Sequence, residues 1–256
     1  VPAMRFIGIL GVFAILGIAY GLSTNRKAIQ PKVVAWGLGI QLSLALFILK
    51  TEFGKQVFAT LGQIVSKILH FSEVGATFIF GKLVSDMETF GFIFAFQVLP
   101  AIIFVGALMN IAYYLGIMQM VVTAVAKVMV KTMGTSGAES LSAVGTVFVG
   151  QSEAPLLIKP YIPEMTRSEL MAIMTGGMAT IAGSVMAAYI GMLGSSWAPH
   201  LLAASIMGAP AGLVMAKLLV PETEEPKTAG EVKMSVEKTE SSVIEAAAKG
   251  ALDGMH

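Results

Sequence analysis

Gly150-Gln151-Ser152-Glu153-Ala154-Pro155 is a polar break between two apolar limbs, residues 138–149 and 156–162. A helix needs about 20 apolar residues to cross a hydrocarbon core about 30 Å thick, and neither limb is long enough. Lys127 and Lys131 precede the first limb, while Lys159 and Arg167 lie within and after the second. Basic residues gather on the cytoplasmic side of a membrane, so both ends of the segment belong there. Two short limbs that leave one side and return to it describe a re-entrant helical hairpin. A bilayer tolerates such a tip where it is buried in protein or lines a water-filled cavity.

The tip residues suit a ligand site. Gly150 permits the turn, and Pro155 fits the first helical position of the second limb because it has no amide hydrogen to leave unpaired. Free amide donors and the positive end of a helix dipole then face whatever occupies the break. Gln151 offers two donors and an acceptor, and Ser152 a hydroxyl, a set able to read the edge of a heterocycle. Glu153 is the sharpest feature. A carboxylate at the bilayer centre costs at least about 2.5 kcal/mol unless it is paired or hydrated, and such residues mark substrate or ion paths. On these residues alone, a surface loop with Glu153 as a solvated N-terminal cap is the competing arrangement.

Composition agrees with a membrane setting. Of 256 residues, 55% are hydrophobic and 13% charged, against roughly 25% charged in soluble domains, and the mean hydropathy is +0.79. The net charge of +1, with no extended basic patch, excludes nucleic acid as a partner. The absence of cysteine removes disulfides, thiolate catalysis and Cys-based metal sites. A hydrolase using Ser152 as nucleophile lacks a nearby histidine and a Gly-x-Ser-x-Gly turn, so the hydroxyl has no activating base.

Outward from the hairpin, charge-free runs supply the spans. Residues 1–50 hold two transmembrane helices, 6–22 and 33–49, joined by a loop whose Arg26, Lys27 and Lys32 place it in the cytoplasm and the N-terminus outside. Residues 51–89 mix charges with Val57, Leu61, Ile64, Val65, Ile68 and Leu69 at near-helical spacing, a helix lying in the interface. Residues 90–133 join a third charge-free span, 90–116, carrying Pro100 and Asn110, to a cytoplasmic amphipathic helix, 117–133, with Lys127 and Lys131. In 134–193 the hairpin is followed by a span rich in Gly and small hydroxyls (Thr175, Gly176, Gly177, Thr180, Gly183, Ser184). Such residues either allow close packing or break the helix. Residues 194–220 form a fifth span. Residues 221–256, with Glu222, Glu224, Glu225, Glu231, Lys233, Glu237 and Lys238, read as a flexible cytoplasmic linker and the start of a further helix. That helix stops without a following span and the chain opens on Val1, so the sequence reads as part of a longer chain. The fold class is an all-α polytopic membrane protein with transmembrane helices, interfacial helices and one re-entrant helical hairpin.

Gly134-Thr135-Ser136, Ala138-Glu139-Ser140, Phe148-Val149-Gly150-Gln151-Ser152-Glu153-Ala154-Pro155, Lys159-Pro160 and the Gly-rich run to Tyr189 together resemble the concentrative nucleoside transporter family. The likeness extends to residues 23–29, 92–100 and 221–224. It implies the first part of an inverted-repeat transporter in the cell membrane, a homotrimer whose transport domain carries substrate against a fixed scaffold. Gln151, Ser152 and Glu153 would then contact the nucleobase, and Val185 matches a base-contacting valine in the broken helix that follows. A second hairpin and broken helix, holding the ribose, belong to the family's later half. Sodium-coupled members bind the ion at four positions that here are Thr146, Val149, Thr180 and Ile181. The first of these is Asn in those members. A threonine hydroxyl is still a hard oxygen ligand, with shorter reach than an amide oxygen, so proton coupling through Glu153 stands beside sodium coupling. The implied function is cation-coupled nucleoside import by alternating access, with no cofactor besides the coupling Na+ or H+. The alternative is a nucleoside-binding membrane subunit or sensor that does not transport.

Overall fold

The computed structural model of the chain describes residues 4–151, 153–230 and 240–255, which form helices and no strand. α1 (Met4–Gly21) and α2 (Pro31–Lys50) are joined through a short turn at Arg26–Ala28. α3 (Glu52–Phe80) follows after Thr51, whose hydroxyl accepts from Gly54 N at 3.0 Å and caps it. The short helices α4 (Lys82–Ser85), α5 (Met87–Phe90) and α6 (Phe94–Gln97) lead into α7 (Leu99–Tyr114) and α8 (Ile117–Met133). The hairpin consists of α9 (Gly137–Gly145) and a 3-10 limb, Ala154–Glu164. α10 (Arg167–Ala179) and α11 (Gly183–Leu193) are two halves of a broken helix, a turn at Ser195–Trp197 opens α12 (Ala198–Leu219), and α13 (Val243–Asp253) ends the described fold. Among the described residues, four stretches are long and apolar enough to cross a membrane: Pro31–Lys50, Phe94–Tyr114, Arg167–Leu193 and Ser195–Leu219. The all-α polytopic class read from the sequence is the class observed.

α12 is the most buried of these four stretches, because glycines let neighbours approach it on two sides. A Cβ at Gly37 of α2 would lie 2.1 Å from Val214 Cγ2, and one at Gly212 would lie 3.4 Å from Gly176 Cα of α10. Every residue of α9 is buried. It sits in the main core with Met133, Ile158 and Leu213, which fixes the hairpin's first limb on all sides. The outer surface is apolar, with Phe13, Phe53, Phe78 and Ile79 strongly exposed, as a bilayer-facing surface requires.

Four local features depart from expectation. The inward stripe of α3 is Gly54, Phe58, Gly62, Ser72 and Ala76, while Leu61 and Ile64 point outward. Small residues win that face because the contact is close: a Cβ at Gly62 would come within 2.6 Å of Pro199 Cγ. The 90–116 run is interrupted at Gly91 (φ 67) and at extended Ile93, and Pro100 stands in the first turn of α7, where its missing N–H leaves nothing unpaired. The second hairpin limb is a 3-10 rather than an α-helix. Pro160 and Pro163 remove amides that α-helical bonds would need, while Pro155 sits harmlessly in the first turn. Finally, residues 221–230 are no free linker: Thr228 is buried, its carbonyl accepts from Gly137 N at 2.9 Å and its hydroxyl from Ala138 N at 3.1 Å. The linker thus satisfies two of the open amides at the start of α9. Glu231, Lys233, Glu237 and Lys238 lie outside the described residues.

Candidate functional site

α9 and α10 begin alike. Ser136 Oγ accepts from Glu139 N at 3.3 Å while Glu139 Oε1 accepts from Ser136 N at 2.7 Å. Thr166 and Glu169 repeat this capping box, with distances of 3.1 and 2.9 Å. The helices pack side by side, and Gly176 leaves room for the contact, since a Cβ there would sit 3.7 Å from Ala143 Cα. Both lose helical form at their far ends, α9 at Thr146 and α10 at extended Thr180 (φ -122, ψ 161).

The two breaks are bonded to each other. Thr180 Oγ1 donates to Thr146 O at 3.2 Å and to Gly176 O at 2.9 Å, and Gly183 N donates to Phe148 O at 3.0 Å. A side chain at position 183 would bring its Cβ to 2.9 Å from Phe148 O, so the close approach there depends on glycine. Thr146 is 2% exposed, its hydroxyl donating to Ala143 O at 2.8 Å. Ile181 O accepts from Ser205 Oγ at 3.4 Å. Of the four candidate cation positions, Thr146 and Thr180 therefore meet in one junction of hydroxyl and carbonyl oxygens, the donor class that hard cations take, while Ile181 follows Thr180 with its carbonyl bonded to Ser205 and Val149 lines the cavity beside Glu153.

The tip departs from expectation in its amides. Glu153 N and Ala154 N both donate to Gly150 O, at 3.1 and 3.0 Å, so these two are used within the turn rather than offered to a ligand. Gln151 is exposed and rests against α10, where a Cβ at Gly177 would lie 2.8 Å from Gln151 Cβ. Ser152 lies outside the described residues. Glu153 and Val149 line a cavity of about 230 Å³, faced by Asn110 and Tyr113 of α7, Ser184 of α11 and Asp253 of α13. Val185 is 42% exposed on α11, and its neighbour Ser184, not Val185, forms this wall. Asp253 reaches the cavity because α13 crosses α7 in backbone contact: a Cβ at Gly250 would stand 2.5 Å from Gly106 O.

A second cluster, at the hairpin base, was missed by sequence reading. Lys217 Nζ lies 2.7 Å from Glu139 Oε2 and donates to Ser168 Oγ (2.9 Å) and Glu222 Oε2 (3.1 Å). Thr166 Oγ1 also donates to Glu222 Oε2, at 2.9 Å, and Ser136 Oγ donates to Glu169 Oε1. The two Ser/Thr-x-x-Glu boxes were visible as local patterns. Nothing local joins Lys217 to them.

Three family profiles match the chain: "Na+ dependent nucleoside transporter N-terminus" over residues 10–83, "Nucleoside recognition" over 95–196, and "Na+ dependent nucleoside transporter C-terminus" over 200–256. An uncharacterized transporter of Haemophilus influenzae is 47% identical over 96% of this chain and 58% of its own length. Sodium/nucleoside cotransporter 1 of Mus musculus is 44% identical over 96% of the chain and 37% of its own length. The chain thus spans little more than half of the first and about a third of the second. Among solved structures, CNTnw in an inward-facing substrate-bound state matches with a TM-score of 0.88 at 43% identity, covering 96% of this chain and 58% of CNTnw. A doubly substituted CNTnw in an outward-facing state matches with a TM-score of 0.89 at 44% identity, covering 96% and 59%. Matched over residues 10–83, 95–196 and 200–256 by nucleoside-transporter profiles, and in fold by solved relatives, the chain belongs to the Na+-dependent, or concentrative, nucleoside transporter family.

Proposed function

We propose that these residues form the nucleobase-reading and cation-binding part of a sodium-coupled nucleoside symporter of the cell membrane. The observation that carries the reading is the bonded junction of Thr146 and Thr180 next to a tip bearing Gln151 and Glu153. A cation held by the junction oxygens would draw the hairpin's first limb and the helix break together, and so fix the tip that reads the substrate. Gln151 and Ser152 supply donors and acceptors to a base edge, Glu153 accepts from a ring or amine N–H, and Val185 offers apolar contact. Occupancy of one site then favours the other, which is the reciprocal coupling symport needs. The cotransporter names of relatives and the inward- and outward-facing states of CNTnw support coupled transport by alternating access. The homotrimer implied by the family resemblance belongs to the same proposal.

Sodium is favoured because the junction offers neutral oxygens and no ionisable side chain. Proton coupling is the second reading, motivated by the carboxyls of Glu153 and Asp253 on one cavity. Nucleoside uptake by the full-length protein in proteoliposomes tests both. Glu153→Gln should lower uptake by about tenfold or more, the loss of roughly 1.4 kcal/mol of recognition, and unchanged uptake would overturn the assignment. Uptake abolished without sodium at every pH supports the sodium reading. Uptake in sodium-free buffer that rises as external pH falls replaces it with the proton reading.

A further inference from the structure

The buried charges at the hairpin base have no part in the proposed site, yet both of its helices start from them. Lys217 and Glu139 side chains are only 8% and 1% exposed. The ammonium group has three partners, Glu139, Ser168 and Glu222. Ser136 links the two capping boxes by donating to Glu169, and Thr166 donates to Glu222. The N-termini of α9 and α10 are thereby tied to each other and to the end of α12. α9 has 9 residues and α10 has 13, so at 1.5 Å per residue they carry this tie over about 14 and 20 Å to Thr146 and Thr180.

We propose, resting on the cation-coupled reading above, that Lys217 is a positioning residue that sets the register of α9 against α10 and thereby the cation affinity of the Thr146–Thr180 junction. Two stiff helices fixed at one end meet at a defined offset at the other, and ion–oxygen distances tolerate departures of only about 0.2 Å. Removing Lys217 leaves the buried Glu139 without its cation partner, which such a site relieves by admitting water or parting the helix ends.

The test uses the full-length protein in proteoliposomes at matched protein amounts. Lys217→Met should raise the half-saturating cation concentration about twofold to thirtyfold, the range for residues that couple to a site without touching it, while the nucleoside KM at saturating cation stays near the wild-type value. Lys217→Arg should restore most of the affinity. A parallel loss in KM, kcat and cation affinity, without rescue by arginine, would mark a merely structural role and overturn the proposal. A second readout does not depend on transport. Residues 1–256 contain no cysteine, and a Cβ at Gly176 would lie 4.0 Å from Ala143 Cβ, within disulfide range. An Ala143→Cys/Gly176→Cys pair, in a background free of other cysteines, should cross-link readily, and less so with Lys217→Met. If wild-type protein shows no cation-dependent uptake, the functional reading fails and the cross-link alone decides, an unchanged yield overturning the register claim. If Lys217→Met does not fold, Glu139→Gln takes its place with the same expectations.

Discussion

At the scale of single residues, the site depends on glycines as much as on the polar groups it presents. Gly177 is the clearest case, because a Cβ there would stand 2.8 Å from Gln151 Cβ. Alanine is the better helix former by about 0.5–1 kcal/mol, but Gln151 Cβ can yield only together with the tip backbone, so Gly177→Ala should leave the thermal midpoint unchanged or slightly lowered. The added methyl displaces Gln151, and the nucleoside KM should rise several-fold. A variant with normal KM would show that Gln151 does not need its present seat. Residue-level legibility was uneven. Glu153 stood out in the sequence as a carboxylate in apolar surroundings and Thr180 as part of a run of small hydroxyls, whereas Thr146 was reached only through the family resemblance. Lys217 did not, since a lysine near the end of an apolar span reads as one that reaches for the interface. Only the packing of α12 beside the base of α9 turns it inward.

At the scale of elements, hydrophobic period located the helices, while close approach decided how they pack. α3 shows why the two differ. Its bulky Leu61 and Ile64 face outward while Gly54 and Gly62 face the protein, because contact distance and not hydropathy alone selects the buried stripe when no bulk solvent drives apolar groups together. The 3-10 limb was likewise hidden from a reading that counted apolar residues, although its two internal prolines, Pro160 and Pro163, carried the information. The crossing of α13 over α7 allows a measurement of this rule. Gly250 has Gly106 O at 2.5 Å and Asn110 Cβ at 2.7 Å from its would-be Cβ, whereas Gly75 of α3 has open space. Gly250→Leu should therefore separate the two helices and destabilise the protein by about 1–3 kcal/mol or more. Gly75→Ala should stabilise it by about 0.5–1 kcal/mol. Thermal melts in detergent check both, and a Gly250→Leu melt matching wild type would show that the crossing does not hold the protein together.

At the scale of the whole molecule, many charges scattered along the sequence meet at one end, although Lys55 and Lys67 of α3 lie nearer the other, where Gly62 packs on Pro199. Thr24 N donates to Leu219 O at 2.9 Å, which brings the loop after α1 to the end of α12. The hairpin base, the start of α10 and the 221–230 segment meet there too, as the bonds of Lys217 and Thr228 show. Arg26, Lys27, Lys131, Arg167 and Lys227 are all exposed in these segments. The other end of α12 carries Ser195, Ser196 and Trp197, the indole lying 5.8 Å from the His200 ring, and has no Lys or Arg from residue 168 up to Lys217. At 1.5 Å per residue the 22 residues of α12 cover about 33 Å, enough to cross the hydrocarbon core, so its two ends belong on opposite sides. The positive-inside rule then predicts that the hairpin base lies in the cytoplasm. Cysteines placed singly at exposed Asn25 and Ser196 test this with a membrane-impermeant maleimide. Asn25→Cys should react only in inside-out vesicles and Ser196→Cys only in right-side-out vesicles. The reverse pattern would invert the orientation, and labelling of both from one side would remove α12 from the set of spanning helices.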